Sequence, residues 1–274
     1  IKGMPLIVSL PLRILFIGDI VGQPGRFAVR ERLDRLVDRH QVDLVVANGE
    51  NAAAGFGLTA DTLRELFDLG IDVMTTGNHV WDKKEAFPCL ESEPRLLRPA
   101  NYPPGAPGRG AGIYSTAAGL RVGVLNLEGR VFMNSLDCPF RAADRLLEDL
   151  RRQTPIILVD FHAEATSEKV ALGHYLDGRV SAVVGTHTHV QTADERILPG
   201  GTGYLTDAGM TGSLDSVIGI RKELAIERFL TQLPVRFEVA KREITLCGAL
   251  FEIDEESGRA LRVQRVCEVI GDNA

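Results

Sequence analysis

The chain has 274 residues, of which 45% are hydrophobic and 25% are charged, and its formal net charge is −6. This composition is typical of a globular protein with a sizeable core. The net negative charge argues against extensive non-specific binding of nucleic acid, because such binding needs a basic surface.

The N-terminal segment is apolar but does not have the form of a signal peptide. Pro5, Pro11 and Arg13 interrupt the apolar run, and no small-x-small cleavage site follows it. No other segment of the sequence reaches the length of a membrane span, and so we expect a cytoplasmic protein without a membrane partner. We expect residues 1–12 to be an N-terminal extension, derived in part from cloning, and residues 13–274 to form a single domain.

The cysteines are well separated in the sequence and form no C-x-x-C pair. We therefore expect thiols in a reducing compartment, and not disulfides or a thiolate metal site. They are Cys89, Cys138, Cys247 and Cys267.

The first part of the chain alternates between strands and helices. Apolar runs predict strands buried on both faces, and apolar residues at helical spacing predict the helices between them. Pro24 fits the first turn of a helix, Thr59 is an N-cap candidate, and Gly70 fits a helix end. The predicted order is strand 13–17, helix 24–39, strand 42–47, helix 60–69 and strand 71–75.

The rest of the chain predicts more strands than helices. Residues 98–111 are rich in proline and glycine, and they indicate a surface loop because strands follow at once. A turn at 255–258 divides the β-rich C-terminal third. The predicted elements are strands 112–115, 121–127, 156–160, 180–184, 235–253 and 260–269, and helices 140–151 and 167–176. Two packed sheets flanked by helices, in the α/β class, are the simplest architecture.

Short blocks of metal-binding side chains follow the predicted strands. They offer carboxylate, amide and imidazole donors, and none offers a thiolate. Open α/β sheets bind ligands at the carboxyl ends of their strands, and this donor set suits Fe, Mn, Zn or similar ions. The candidate metal ligands are Asp19, Glu50, Asn51, Asn78, His162, His187 and His189.

These donors could hold two ions. Glu50 is the natural bridge, because its carboxylate has two oxygens. His187 and His189 are two residues apart, and on an extended segment their rings would project to the same side, so that one could serve each ion. Two ions about 3.5–4 Å apart would lower the pKa of a shared water. The expected sets are Asp19, Asn51 and His189 for one ion, and Asn78, His162 and His187 for the other.

His79 is the candidate general acid. It directly follows Asn78, and a neighbour of a ligand is freer than the ligand itself to protonate a leaving oxygen. Asp82, three residues further on, is a candidate to orient the His79 ring.

Each block alone has an ordinary explanation. An aspartate after a strand is usually a turn or N-cap residue, and Asn-Gly and Gly-Asn pairs are usually turns. We favour a metal site because all the donors fall at predicted strand ends, whereas His40 and His174 are assigned to helices. The glycines form neither a G-x-G-x-x-G pattern nor a P-loop, and so we predict no nucleotide-cofactor site.

Two glycine-containing loops could belong to the site. Residues 55–58 could cover a substrate, although we favour a simple loop before the next helix. Residues 206–212 form a small-residue loop that could lie near the metal ligands.

The motifs, taken together, carry a family resemblance. They are Ile17-Gly18-Asp19-Ile20-Val21-Gly22, Asn48-Gly49-Glu50-Asn51, Gly77-Asn78-His79-Val80-Trp81-Asp82, residues 160–169 and residues 184–194. From residue 13 onward the chain resembles the calcineurin-like metallophosphoesterases, and more closely their YmdB-like phosphodiesterase branch. It departs from the superfamily pattern at Val21, where a histidine ligand is usual, and at Glu50, where aspartate is usual. The resemblance implies that Asn51 fills the missing coordination position.

The resemblance implies a four-layer α/β/β/α fold of two mixed sheets flanked by helices. It also implies two metal ions, with Fe expected first and Mn, Zn or Mg as alternatives, and hydrolysis of 2′,3′-cyclic nucleotides with His79 as proton donor. We therefore predict a dinuclear phosphodiesterase that acts on a small phosphodiester or nucleotide, without an extended nucleic-acid groove, and forms a homo-oligomer. The alternatives are a phosphomonoesterase or nuclease on the same metals, or a metal-bound regulatory or scaffolding protein.

Overall fold

The computed structural model describes residues 10–270. The predicted extension therefore lies outside the described residues up to position 9, and the first strand begins at Leu12, one residue before the predicted domain boundary. The strands are β1 (Leu12–Ile17), β2 (Leu44–Asn48), β3 (Val73–Thr75), β4 (Ala111–Ser115), β5 (Arg121–Glu128), β6 (Ile157–His162), β7 (Ala182–Thr186), β8 (Arg196–Ile197), β9 (Gly203–Leu205), β10 (Gly212–Ser213), β11 (Ile244–Ile253) and β12 (Ala260–Ile270). The helices are α1 (Gly22–His40), α2 (Ala60–Asp68), α3 (Ala86–Ser92), α4 (Pro139–Arg151), α5 (Thr166–Leu176) and α6 (Lys222–Thr231).

The strands form two mixed six-stranded sheets. In the first sheet, β1, β2 and β3 are parallel neighbours, β11 runs antiparallel to β1, and β10 and β12 pair with β11. In the second sheet the order is β4-β5-β6-β7-β9-β8, and the four central strands are parallel. The parallel strands are almost wholly apolar and buried, as expected of strands covered on both faces.

Three apolar clusters hold four layers together. One lies between the sheets and includes Phe16 and Phe251 from the first sheet with Val124 and Leu158 from the second. A second packs α1 and α2 on the outside of the first sheet, and a third packs α4 and α5 on the outside of the second. This arrangement confirms the predicted α/β/β/α sandwich.

The structure confirms most predicted elements to within a few residues. Thr59 caps α2 in a capping box, in which its side chain accepts a hydrogen bond from the backbone N–H of Thr62. Residues 98–110 form the predicted loop, and β4 begins directly after them at Ala111. No helix in residues 10–270 is long and apolar enough to cross a membrane.

The main error lies between residues 217 and 243. We predicted one strand over 235–253 from its content of Val, Ile, Thr and Phe, but β11 begins only at Ile244. The backbone of 235–243 instead bonds to a neighbouring loop, with Arg221 N donating to Glu238 O and Ala240 N donating to Gly219 O. Helix α6 was not predicted, because only Ala225 is fully buried on it and its apolar residues form no inward stripe.

Candidate metal centre and catalytic site

The candidate ligands come together where the two sheets meet. In the first sheet the carboxyl ends of β1, β2 and β3 lead to Asp19, Glu50 and Asn78. In the second sheet the parallel strands β6 and β7 end at His162 and Thr186. Parallel strands have their carboxyl ends at one edge of a sheet, and here the two edges face each other. The structure therefore brings together all seven predicted ligands from distant parts of the sequence.

Three potential metal-ligand atoms surround one ring nitrogen of His162. Its Nε2 atom lies 3.1 Å from Oε1 of Glu50, 3.0 Å from Oδ1 of Asn78 and 3.0 Å from Nδ1 of His187. Potential ligand atoms of Glu50, His162 and His187 all lie within 4.8 Å of one another. This cluster has the composition that the sequence suggested for one of the two ions.

A second group of candidate ligands also contacts Glu50. The Nδ2 atom of Asn51 lies 3.1 Å from Oε1 of Glu50 and 3.2 Å from Nε2 of His189. Asp19 is completely buried nearby, and its Oδ2 accepts a hydrogen bond of 3.1 Å from the backbone N–H of His187. For Asn51 to bind an ion through Oδ1, its amide would have to turn over.

A hydrogen-bond chain fixes the tautomer of His162. The hydroxyl of Thr186 donates to Oδ1 of Asp160 at 2.7 Å, and it therefore accepts from Nδ1 of His162 at 2.9 Å. Asp160 is held in turn by Thr75 Oγ1 at 2.5 Å and Asn48 Nδ2 at 3.0 Å. These hydrogen bonds leave Nε2 of His162 directed at the cluster. Supporting contacts of this kind orient the histidine ligands of metals.

The charges in this cluster are strongly coupled. Burial lowers the pKa of His162, but the carboxylates of Glu50, Asp19 and Asp160 outweigh it and raise the pKa to about 9. Burial acts to raise the pKa of Glu50, but His162 outweighs it and lowers the value to about 2. Burial and the charge of His162 lower the pKa of His187 to about 3. The buried carboxylates around His162 therefore favour positive charge at this position.

The residues fit bound cations. Oδ1 of Asp19 is buried and accepts no hydrogen bond from any residue between positions 10 and 270, and such an orphaned carboxylate oxygen is costly unless a cation meets it. Nε2 of His162 faces Oε1 of Glu50, Oδ1 of Asn78 and Nδ1 of His187, each of which has a lone pair. A single proton on Nε2 cannot form good hydrogen bonds with all three. A cation among carboxylate, amide oxygen and imidazole donors resolves both features.

The geometry of His187 and His189 differs from the prediction. Strand β7 ends at Thr186, and the backbone φ angles of the two histidines are 96° and 66°. The segment is therefore a tight loop and not an extended strand. His187 contacts His162, whereas His189 contacts Asn51 and donates from Nδ1 to Ile218 O. The inference that their rings project to one side because the segment is extended was wrong.

His79 lies at the mouth of this cluster. Its Nδ1 atom is 2.8 Å from Oδ2 of Asp82, and its backbone N–H donates to Oε2 of Glu50 at 3.2 Å. The ring is partly exposed and meets the edge of Phe56 with a centroid separation of 5.0 Å. The prediction that Asp82 orients the His79 ring is consistent with this contact.

A cavity of about 400 Å³ opens over the cluster. Its polar lining includes Glu50, Asn51, His79, His187 and His189. Its apolar lining includes Phe56, Ile218, Ile220 and Phe237. The loop at 55–58 therefore lines the cavity, which is more than the simple connection that we favoured from the sequence. The volume lies within the range of sites for small ligands.

The loop at 206–212 supports the site from behind. Asp207 is buried and holds Thr188, in the histidine loop, through its Oδ2 atom at 2.6 Å. The backbone N–H of Thr211 donates to the carbonyl of Asp19 at 2.8 Å. This loop lies next to the ligands, as the sequence suggested.

Sequence reasoning missed several supporting residues. Asp160, Thr186 and Lys169 lie within the quoted motifs, but their roles depend on contacts between elements that the sequence does not show. Glu164 lies 3.0 Å from Nε2 of His187. Glu128 ends β5 beside His162, and burial raises the pKa of its carboxyl to about 7. The sequence could have indicated Glu128, because it is an acidic residue at the carboxyl end of a predicted parallel strand, like the acidic candidate ligands.

Comparisons with known proteins show relatives over nearly the whole chain. The profile of the YmdB-like protein family matches residues 15–266. The chain is 52% identical over 255 residues to the 2′,3′-cyclic-nucleotide 2′-phosphodiesterase of Bacillus subtilis (strain 168), covering 93% of this chain and 96% of that protein. A hypothetical protein from Thermus thermophilus has a similar structure, with a TM-score of 0.89, 47% identity, and coverage of 94% of this chain and 99% of that one.

A phosphatase from Mycoplasma pneumoniae is also similar in structure, with a TM-score of 0.89 at 33% identity. The match covers 95% of each chain. The profile match spans nearly all the described residues, and identity to the Bacillus protein is high over the same length. On these findings the chain belongs to the YmdB-like family, as its motifs suggested.

Proposed function

We propose that this protein hydrolyses 2′,3′-cyclic nucleotides or similar small phosphodiesters, using two metal ions and His79 as general acid. The observation that carries the proposal is the convergence of seven buried or half-buried donors beneath one cavity, with His79 at its rim. The prediction that the chain is a phosphoester hydrolase is confirmed at the level of the enzyme class by its relatives. The name of the Bacillus relative supports the narrower substrate.

The donors would divide between two ions that share Glu50. Asn78, His162 and His187 form the set around Nε2 of His162, while Asp19, Asn51 and His189 form the other. Bound ions would supply an activated water and neutralise charge on the phosphoryl oxygens. The donor set tolerates Fe, Mn, Zn or Mg, and Fe is our first choice by family resemblance.

His79 would protonate the ribose oxygen that leaves phosphorus. It is close to the cluster through its backbone contact with Glu50, yet its ring is directed to Asp82 and the cavity. The carboxylate of Asp82 accepts a hydrogen bond from the Nδ1–H group of His79, and this contact leaves Nε2 free to give a proton to the substrate. A cyclic diester suits this chemistry, because it carries one negative charge and ring strain assists its opening.

The apolar part of the cavity lining supports a nucleotide over a simple phosphate. Phe56 and Phe237 belong to this lining together with Ile218 and Ile220, in the same cavity as the candidate metal ligands. A phosphate held by the ions would leave its ribose and base within reach of these side chains. Stacking of a base on an aromatic ring contributes about 1–3 kcal/mol, and so we expect Phe237→Ala to raise KM for 2′,3′-cyclic AMP more than KM for bis-p-nitrophenyl phosphate.

Two variants test the proposed roles. We expect His79→Ala to lower kcat for 2′,3′-cyclic AMP by about 10²–10⁴-fold at unchanged metal content. Glu50→Ala should lose both metal and activity. His174→Ala, an exposed histidine on α5, is the matched control and should keep both. Full activity of His79→Ala at saturating substrate would contradict the proposal.

The rival functions separate in the same assay. Preference for p-nitrophenyl phosphate over the diesters would indicate a phosphomonoesterase. A nuclease would need a basic groove, which the net charge of −6 does not favour. No turnover of any ester by protein with two bound metals would favour a regulatory or scaffolding protein.

Other predictions accompany this function. We propose that residues 13–274 act as one catalytic domain, because the ligands come from both sheets. We expect the protein in the cytoplasm and as a homo-oligomer.

A further inference from the structure

Two cysteines lie directly opposite each other on neighbouring strands. Cys247 on β11 pairs in register with Cys267 on β12, and their Sγ atoms are 4.0 Å apart. Cys247 is buried, whereas Cys267 is exposed at the surface of the strand. The pair has no part in the metal site, and it is separate from Cys89 and Cys138.

The backbone geometry at this pair suits a disulfide. The carbonyl of Cys247 accepts from Gly18 N at 2.9 Å, and its N–H donates to Thr211 Oγ1 at 3.2 Å. Both backbone groups therefore point away from β12, which makes the cysteines a non-hydrogen-bonded antiparallel pair. In such pairs the Cα atoms are about 4.5 Å apart and the side chains are closest. Disulfides span Cα separations of about 4.4–6.8 Å.

We propose that Cys247 and Cys267 are a thiol modification site that forms a reversible intrachain disulfide with a low-molecular-weight disulfide as oxidant. The thiolate of Cys267 attacks one sulfur of the oxidant, forms a mixed disulfide, and releases one small thiol. Cys247 then attacks the sulfur of Cys267, loses its proton, and releases the second small thiol. Two protein thiols are oxidised and one small disulfide is reduced to two thiols.

The order of attack follows from exposure. Cys267 is accessible to an oxidant in solution, whereas Cys247 is only 5% exposed. Burial, together with the charge of Cys267, raises the pKa of the Cys247 thiol to about 12, so that it is a poor first nucleophile. Once Cys267 is in a mixed disulfide, its negative charge is removed, and the Cys247 sulfur remains its neighbour.

Oxidised glutathione is a direct probe of this site. The reduced, metal-loaded protein would be treated with it, digested with trypsin without reduction, and analysed by mass spectrometry. Trypsin cleaves at Arg259 and Arg265, so the two cysteines fall on different peptides. We expect these peptides to be linked, with the loss of two hydrogen atoms, and separated again by a reducing agent.

Single variants distinguish the two steps. Cys247→Ser should accumulate a stable glutathione adduct on Cys267, because no thiol is present to resolve it. Cys267→Ser should leave Cys247 unmodified, and the Cys89→Ser/Cys138→Ser control should form the same link as the unchanged chain. A lasting adduct on Cys267 of the unchanged chain, or a link to Cys89 or Cys138, would overturn the proposal.

Discussion

The Nζ atom of Lys169 lies 2.6 Å from Oδ2 of Asp207, and both side chains are almost completely buried. The same carboxylate oxygen accepts from the backbone N–H of Thr188 at 3.2 Å and from its hydroxyl at 2.6 Å. Thr188 lies between His187 and His189. The ion pair therefore positions the loop that carries two candidate metal ligands, although neither charged residue faces the cavity.

Lys169→Met is expected to destabilise the protein strongly. It leaves the Asp207 carboxylate buried without a positive partner, and breaking a buried pair in this way typically costs about 3–5 kcal/mol. The free energy of unfolding can be measured by urea denaturation at constant metal concentration. We also expect less bound metal, because Thr188 loses a fixed acceptor.

The double variant Lys169→Met/Asp207→Asn is the control for this prediction. It removes both charges, and we expect it to recover part of the stability lost in the single variant. A double variant less stable than Lys169→Met would show that the unpaired charge is not the cause.

Thr186→Val is expected to weaken metal binding while the fold persists. It removes the hydroxyl that joins His162 Nδ1 to Asp160, and so the ring loses its fixed tautomer. Loss of such a supporting contact typically lowers metal affinity by about 10–100-fold. Competition with a chelator measures the effect, and Thr154→Val, a buried threonine ahead of β6, is the control. Equal affinities of the two variants would contradict the role of Thr186.

Gly77→Ala is expected to disrupt the metal cluster. A Cβ atom at position 77 would overlap the ring of His162 and the carboxylate of Glu50. Both groups are buried and cannot move without losing their partners, and so we expect reduced metal content and activity. Gly123→Ala in β5 is the control, because its added Cβ would come no closer than 3.2 Å to a side-chain carbon of Ile157. Metal analysis of both purified variants provides the test, and normal metal content in Gly77→Ala would refute it.

Asp82→Asn is expected to lower kcat for 2′,3′-cyclic AMP without changing metal content. Its carboxylate is 2.8 Å from Nδ1 of His79, and hydrogen bonds to charged groups contribute about 1.5–3 kcal/mol. Loss of this charge corresponds to a decrease of about tenfold or more in rate. Steady-state kinetics would include Asp61→Asn as control, since Asp61 forms an exposed pair of similar spacing with Arg64. A change confined to KM would argue against an effect on the proton donor.

Much of the fold was predictable because its strands and helices have strong local signals. The buried parallel strands are continuous apolar runs, and α2 begins at a threonine that forms a capping box. The first part of the strand predicted over 235–253 was wrong, because β-favouring side chains do not fix which neighbour the backbone will bond to. Helix α6 escaped prediction because its apolar residues face outward.

The candidate ligands were predictable from their common position after strands, but their supporting contacts were not. Asp160 and Thr186 act across β6 and β7, and a single sequence does not show that register. Likewise, Phe237 and Ile218 reach the cavity only through the loops around α6. The sequence thus indicates donor types, whereas packing between elements determines which donors meet.

Helix α6 offers a test of the predicted homo-oligomer. Ile226, Phe229, Leu230 and Leu233 expose 52–80% of their surface on or just after this helix, and exposed apolar patches of this kind often mark interfaces between proteins. If a second copy covers this face, Leu230→Glu should lower the mass measured by light scattering, because association would bury a charge. Leu261→Glu, at a similarly exposed leucine on β12, should leave the mass unchanged. A single-chain mass for the unchanged protein at all concentrations, or equal dissociation in both variants, would show that α6 is not the interface.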